Sequence, residues 1–154
     1  MIFKRINRSD AERIFVAFQA NEASIAADDV VGLELAAASV DGVKISQVAA
    51  TEDHATVGVA DAAIANGGYG LVQVYGYRST SRILSSGASL TPGQAMGVAA
   101  GQDYLDTRAS ISPAFLPAFV LLESAASTGT TATVSKKIFI RAMTILLSFS
   151  FLMQ

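Results

Sequence analysis

Short apolar segments separated by turn residues set the pattern of this chain. The most regular stretch is 57–77, where two apolar segments flank the turn sequence Asn66-Gly-Gly-Tyr-Gly. A glycine cluster after asparagine supplies the positive φ angles of a tight turn, so we expect at least one such angle among Gly67, Gly68 and Gly70. The pattern predicts a strand on each side of this turn.

Strict alternation within the second of these strands predicts two faces. Leu71, Gln73 and Tyr75 fall on one face and Val72, Val74 and Gly76 on the other, because successive side chains of a strand point to opposite sides. Further strands are predicted where β-branched and aromatic residues cluster, namely at 13–19, 30–35, 43–48, 119–123 and 136–143. A capping box at Ser9–Glu12 would instead start a helix over the first of these.

Turn signals separate the predicted strands at close intervals. Asp41-Gly42 is typical of a two-residue hairpin, Thr91-Pro-Gly-Gln of a β-turn, and 124–135 reads as a low-complexity loop. Many short strands of this kind predict a mainly β fold, a compact β-barrel or β-sandwich of short antiparallel strands with extended terminal arms. We divide the chain into an N-terminal arm (1–12), a β domain (13–143) and an apolar tail (144–154).

Composition narrows the classes of function. Of 154 residues, 16% are charged and 51% hydrophobic. A soluble domain has about 25% charged residues, so we expect apolar surface that contacts another molecule. The net charge of −2 argues against a general nucleic-acid partner. The absence of cysteine excludes disulfides, thiolate zinc sites and cysteine nucleophiles.

Sequence signals for a catalytic, metal-binding or phosphate-binding site are weak. His54 is the single histidine and follows Glu52 and Asp53, a consecutive cluster without the separated spacing of a metal site. Asn66-Gly-Gly-Tyr-Gly lacks the Lys-Ser/Thr of a phosphate loop. Asp103 and Asp106 could pair for acid–base work, but an exposed loop is the simpler interpretation. We predict no catalytic residue, metal or cofactor.

Aromatic residues are better candidates for a binding surface. Tyr69, Tyr75 and Tyr77 are separated by even numbers of residues along the predicted strand. Aromatic residues at alternate strand positions most often pack in the core or against a neighbouring strand, although tyrosine is also enriched in interfaces. The basic cluster Lys4, Arg5 and Arg8 is either a docking arm or a loose terminus. Lys136-Lys137 is most simply an edge charge in water.

The C-terminal tail is unusually apolar. Phe149, Phe151 and Leu152 are too hydrophobic to remain in water on many exposed copies. Arg141 interrupts the run before it reaches the length of a membrane helix, so we expect a buried strand or an arm on another subunit and keep membrane insertion as the alternative.

Several of these segments together resemble the capsid decoration, or cement, proteins of tailed bacteriophages. The resemblance rests on Gly58-Val-Ala, Ile64-Ala and Tyr69-Gly-Leu-Val-Gln-Val-Tyr-Gly, with two further turns at 25–31 and 89–94. Asp28 stands where the family usually has glycine, and Gln94 where an acidic residue is common. The resemblance covers about Arg13 to Met143 and consists of turn-and-strand patterns.

The resemblance implies a non-enzymatic virion protein on the outer capsid surface. Such a protein binds the major capsid protein and bridges coat subunits. The low charge and the apolar excess of the chain separately predict a homo-oligomer, a trimer or dimer. The alternatives are a tail or baseplate adaptor and a glycan-binding β module on the virion surface.

Overall fold

The computed structural model describes residues 12–21, 24–35, 41–48, 55–85, 89–98, 102–107, 119–126 and 133–141. These residues form eleven β-strands and no α-helix, which confirms the predicted mainly β fold. The strands are β1 (Arg13–Ala20), β2 (Val30–Leu33), β3 (Lys44–Gln47), β4 (Thr56–Ala60), β5 (Tyr69–Arg78), β6 (Arg82–Leu84), β7 (Ala95–Val98), β8 (Leu105–Thr107), β9 (Phe119–Leu121), β10 (Thr133–Ser135) and β11 (Ile138–Ile140).

The first five strands close into a barrel. They pair in the order β1-β3-β2-β4-β5, and β5 then pairs with β1 to complete the ring. The β1–β5 contact is the longest ladder, running from Arg13 opposite Gly76 to Gln19 opposite Tyr69. The ring is completed between β1 and β3 by two residue pairs, Gln19 with Lys44 and Ala20 with Ile45, so each of the five strands has a partner on both sides.

The second half of β5 carries the remaining strands. Its residues 76–78 pair with β11, and the sheet continues as β11-β9-β7-β8-β6-β10. We call these six strands the appended sheet. Because β5 belongs to the barrel and to the appended sheet, one backbone segment joins the two parts.

Two hydrophobic cores lie on opposite sides of the barrel wall. Val31 and Ala60 belong to the core inside the barrel, together with Phe18, Ile45 and Val72. Their chain neighbours Val30 and Val59 belong to the second core, beneath the appended sheet. Adjacent residues of a strand point to opposite faces, so β2 and β4 are buried on both sides and separate the two cores.

Three details differ from the sequence predictions. Two strand pairings are parallel, β1 with β3 and β6 with β8. Thr133–Ser135 is a strand rather than part of a loop. Asp41-Gly42 does not form a two-residue hairpin, because Leu33 pairs with Ile45 and the connection is longer. Instead the Asp41 carboxylate accepts hydrogen bonds from the backbone amides of Val43 and Lys44 at 2.9 and 3.0 Å. These bonds fix the turn that precedes β3.

Other predicted features are present. The strand at Arg13–Ala20 replaces the alternative helix. Thr91-Pro-Gly-Gln forms a turn, with Gly93 at φ +90° and the Gln94 amide donating to the Thr91 carbonyl at 3.3 Å. The predicted arm (1–12) lies outside the described residues except Glu12, and the tail (144–154) lies wholly outside them.

Candidate interaction surface

A group of exposed and half-exposed side chains lies on the outside of the barrel, along β1 and β5. Tyr69 is 69% exposed and Leu71 51% exposed. Leu71 stands opposite Ala17, and Tyr69 opposite Gln19. Directly opposed residues of an antiparallel pair project on the same face. These four residues, Ala17, Gln19, Tyr69 and Leu71, are called the outer strip.

The glycine turn sets the position of the outer strip. Gly67 has φ +71°, so the predicted positive angle is present at this residue. The Gly67 amide donates to the Ala20 carbonyl and the Ala20 amide to the Gly68 carbonyl, both at 2.9 Å. Gly70 serves packing instead, since a Cβ there would overlap the Ile64 side chain. The turn therefore ties the start of β5 to the end of β1.

A second apolar surface lies further along β5. Tyr75 packs edge-on against Phe139, with ring centroids 5.5 Å apart and an interplanar angle of 81°. Tyr77 is directly opposite Phe139, which is opposite Val120 on β9. All four side chains are half-exposed. Tyr75, Tyr77, Val120 and Phe139 are called the aromatic face.

The three candidate tyrosines thus divide between two surfaces. The predicted grouping of Leu71, Gln73 and Tyr75 on one face is wrong, because the β1–β5 register skips Val74. An extra residue in one strand reverses the facing of everything beyond it. Tyr69 consequently lies on the outer strip, while Tyr75 and Tyr77 lie on the aromatic face.

Close approach of the strands beside this irregularity requires glycine. Gly76 has φ +99°, and a Cβ at this position would overlap the backbone carbonyl oxygen of Glu12. Only a residue without a side chain satisfies both conditions. Gly76 therefore allows β1 to pair with β5 past the extra residue.

A cluster of ion pairs joins the barrel to the appended sheet. Arg78 is 5% exposed; it donates to Asp28 at 2.6 Å and to the Ala60 carbonyl at 2.8 Å. Arg82 donates to Asp29 at 2.8 Å and to Asp103 at 2.5 Å. A nearly buried guanidinium requires such partners. This cluster was not predicted from the sequence, although the adjacent acidic residues Asp28 and Asp29 were a signal for it.

Burial and hydrogen bonding shift the ionisation of this cluster. Burial raises the pKa of Asp29, even though the Ala26 amide and Arg82 donate to its carboxylate. The hydrogen bond to Asp29 raises the pKa of Arg82 above its ordinary value. Asp103, interpreted from sequence as part of an exposed loop, is half-buried and ion-paired. That interpretation is wrong, because the segment leads into β8, where Leu105 is fully buried.

The remaining candidates lie elsewhere. Glu52, Asp53 and His54, like Phe149, Phe151 and Leu152, are outside the described residues, as are Lys4, Arg5 and Arg8. Lys137 pairs with Glu123 at 3.2 Å and is exposed, as expected of an edge charge. Within the residues described, no group of three acidic or histidine side chains is arranged to hold a metal ion. In the same part of the chain, no helix has the length and hydropathy needed to cross a bilayer.

No family model matches the chain, and no curated protein matches it significantly. The surfaces described above therefore carry the functional argument.

Proposed function

We propose that the protein is a capsid decoration protein, which binds the outer surface of a bacteriophage shell and bridges coat subunits. The observation that supports this proposal best is the outer strip. Two large side chains, Tyr69 and Leu71, are more than half exposed on a closed barrel. Tyrosine combines apolar area with a polar tip, which suits a surface that binds a protein and also contacts water.

The barrel and the composition favour the same role. A closed ring of strands changes shape little on binding, so less free energy is lost in ordering the contact. With 16% charged residues, the chain depends on apolar contact rather than on charge. Many copies on one shell turn modest individual contacts into strong overall attachment. The protein contributes a rigid surface, and no catalytic step is part of the proposal.

Copy number in purified virions tests this function. Quantitative mass spectrometry of particles whose genome encodes the chain should give a ratio to the major capsid protein close to one. A few copies per particle would support the tail or baseplate adaptor instead. Absence from the particle would overturn both virion assignments.

Substitution in the outer strip tests the binding surface. Leu71→Asp places a charge in the proposed contact and should weaken binding to shells lacking the protein by about tenfold or more, as at an interface hot spot. Leu122→Asp is the matched control, since Leu122 is 40% exposed but lies after β9 in the appended sheet. Equal binding of the two variants would remove the outer strip from the interface.

Self-association is the second part of the proposal. Decoration proteins at local symmetry axes contact copies of themselves, and we expect a dimer or trimer. Sedimentation velocity of the free protein over a range of concentrations checks this expectation. A monomer at every concentration, with isolated copies on the particle, would contradict it.

A further inference from the structure

The aromatic face is one side of a sheet whose other side is fully buried. On β9 and β11, Phe119, Leu121, Ile138 and Ile140 all lie in the second core. The alternate residues Val120 and Phe139 face away from that core beside Tyr75 and Tyr77. An antiparallel sheet with one solvated side normally carries polar residues there. Here the four residues of the outward side are apolar or aromatic, and the Arg13 guanidinium lies over the Tyr77 ring at 5.8 Å, so the aromatic face has the composition of a packed surface.

The strand order fixes where the chain leaves this sheet. Gly76 pairs with Arg13 of β1 and with Ile140 of β11, so these strands lie on opposite edges of β5. Gln73 pairs likewise with Phe15 of β1 and with Val59 of β4. It follows that β4 and β11 occupy the same edge of β5, one after the other.

This arrangement prevents β11 from continuing along β5. Both strands run antiparallel to β5, so the end of β11 points towards the start of β4. A strand position can be occupied by only one chain, because each backbone edge forms one ladder. The edge of β5 therefore has no room for a longer β11 beyond about Arg141, next to Tyr75 of the aromatic face.

The residues that follow have the chemistry to cover that face. Segment 142–154 contains no charged residue, and apolar side chains alternate in it at Ile145, Leu147, Phe149, Phe151 and Met153. Thirteen extended residues reach about 40 Å. Three strands spaced about 4.8 Å apart are far narrower than this. The segment is long enough to cross the aromatic face and presents an apolar side to it.

We propose that the C-terminal segment 144–154 packs on the aromatic face of its own chain, with Leu147, Phe149 and Phe151 against Tyr75, Tyr77, Val120 and Phe139. The occupant is the same chain, because the exit point lies beside the face and a tethered segment has a high effective concentration there. The proposal goes beyond capsid binding and can be tested on the purified protein alone.

Disulfide trapping tests the contact directly, because the chain has no cysteine of its own. Val120→Cys is combined in turn with Leu147→Cys, Phe149→Cys and Phe151→Cys. At least one pair should form a disulfide within a single chain, and the yield should not change on about tenfold dilution, as expected for a tethered contact. The control combines Leu71→Cys, on the outer strip, with the same three tail positions and should give little product.

The other outcomes overturn the proposal. Disulfide-linked dimers that depend on concentration would place the tail on a second copy. No product with Val120→Cys, or equal product with Leu71→Cys, would mean that the tail does not bind the aromatic face. None of these measurements involves capsid binding, so a negative result would not contradict the proposed function.

Tyrosine fluorescence provides a second test. The chain has four tyrosines and no tryptophan, and two of the four lie on the aromatic face. Deletion of 144–154 should increase acrylamide quenching of the tyrosine emission. If the shortened chain does not fold, Phe149→Ser with Phe151→Ser in the full chain replaces it, and Ser148→Ala with Ser150→Ala is the control. Unchanged quenching in the variants that fold would contradict the proposal.

Discussion

Asp28 has an unusual backbone conformation and forms an ion pair with the nearly buried Arg78. Among the residues described, it is the one non-glycine residue with positive φ, at +68°. Its carboxylate accepts hydrogen bonds from the Arg78 guanidinium at 2.6 Å and from the Thr80 hydroxyl at 2.9 Å. Aspartate tolerates this region better than most residues because its short side chain bonds locally. The charge of Arg78 explains why a residue with a side chain stands where glycine would be less strained.

Substitutions at Asp28 should separate these two effects. Asp28→Gly removes the carboxylate but relieves the backbone, whereas Asp28→Ala removes the carboxylate and keeps the strained angle. We expect Asp28→Gly to lower the free energy of unfolding by about 1–3 kcal/mol, the cost of depriving a buried polar group of a partner. Asp28→Ala should cost more than about 1 kcal/mol beyond that, because a residue with a Cβ is strained at positive φ. Urea unfolding measures both, and equal stability of the two variants would contradict the backbone contribution.

Ser81 and Ser85 form a natural pair for a second test. Both are fully buried. The Ser85 hydroxyl donates to the Ala126 carbonyl at 2.9 Å, whereas the Ser81 hydroxyl has no hydrogen-bond partner. Ser81→Ala should leave stability unchanged or raise it by up to about 1 kcal/mol, and Ser85→Ala should lower it by about 1 kcal/mol. Thermal unfolding of the two variants checks the order, and a reversed order would show that Ser81 is satisfied in solution.

At the scale of elements, the turn before β3 links stability to pH. Backbone hydrogen bonds from Val43 and Lys44 lower the pKa of Asp41 below its ordinary value of 3.8. A carboxyl with a depressed pKa in the folded state stabilises the protein above its unfolded pKa. That contribution is lost as pH falls from about 3.8 through the folded value. Asp29 has a raised pKa and acts in the opposite direction.

Asp41→Asn should therefore change the pH profile as well as the stability. Asparagine keeps an acceptor for the two amides but cannot gain charge. The variant should be less stable than the wild type near neutral pH, and the difference should shrink as pH falls below about 3.8. Urea midpoints at pH 7 and pH 3 measure this difference. A gap of constant size would mean that the Asp41 charge contributes nothing to the turn.

Strands rich in β-branched or aromatic residues could be predicted from the sequence. The strands β1, β4, β5, β9 and β11 carry β-branched or aromatic runs, and each was expected near its observed position. The strands β7, β8 and β10 have three or four residues in segments rich in Gly, Ala and Thr, where no alternation marks them. Their partners are distant in sequence, so tertiary packing decides their structure.

The candidate site was harder to predict for a similar reason. Tyr69, Tyr75 and Tyr77 were singled out as interface candidates, with core or cross-strand packing as the commoner interpretation, but their division between two surfaces was not predicted. That division depends on one skipped residue in the β1–β5 register, which no local pattern encodes. The ion pairs of Arg78 with Asp28 and of Arg82 with Asp29 join residues about fifty positions apart. Contacts at that separation exist only once the barrel and the appended sheet have come together.

On the scale of the whole molecule, the two cores depend on each other. Val30 and Val59 are residues of the barrel strands, yet they pack with Ile83, Leu105 and Ile138 of the appended sheet. Separating the two parts would expose these side chains, and burying each contributes about 1.5–3 kcal/mol. The two parts should therefore stabilise each other.

We expect the barrel and the appended sheet to unfold in one transition. The calorimetric enthalpy should equal the van't Hoff enthalpy, as in a two-state protein. Val59→Ala should lower the midpoint of that single transition without splitting it. Two resolved transitions, of which Val59→Ala shifts only one, would show that the two cores are independent.

The sharing of β5 has a mechanical consequence. This strand runs for ten residues, about 33 Å when extended, with the outer strip at its start and the aromatic face near its end. A force applied to the outer strip in the direction of β5 shears the β1–β5 ladder, so the hydrogen bonds of this ladder bear the load together. Peeling them apart one by one would need a force across the strand. A protein held by the outer strip should thus resist stretching tangential to the surface that it covers far better than lifting away from it.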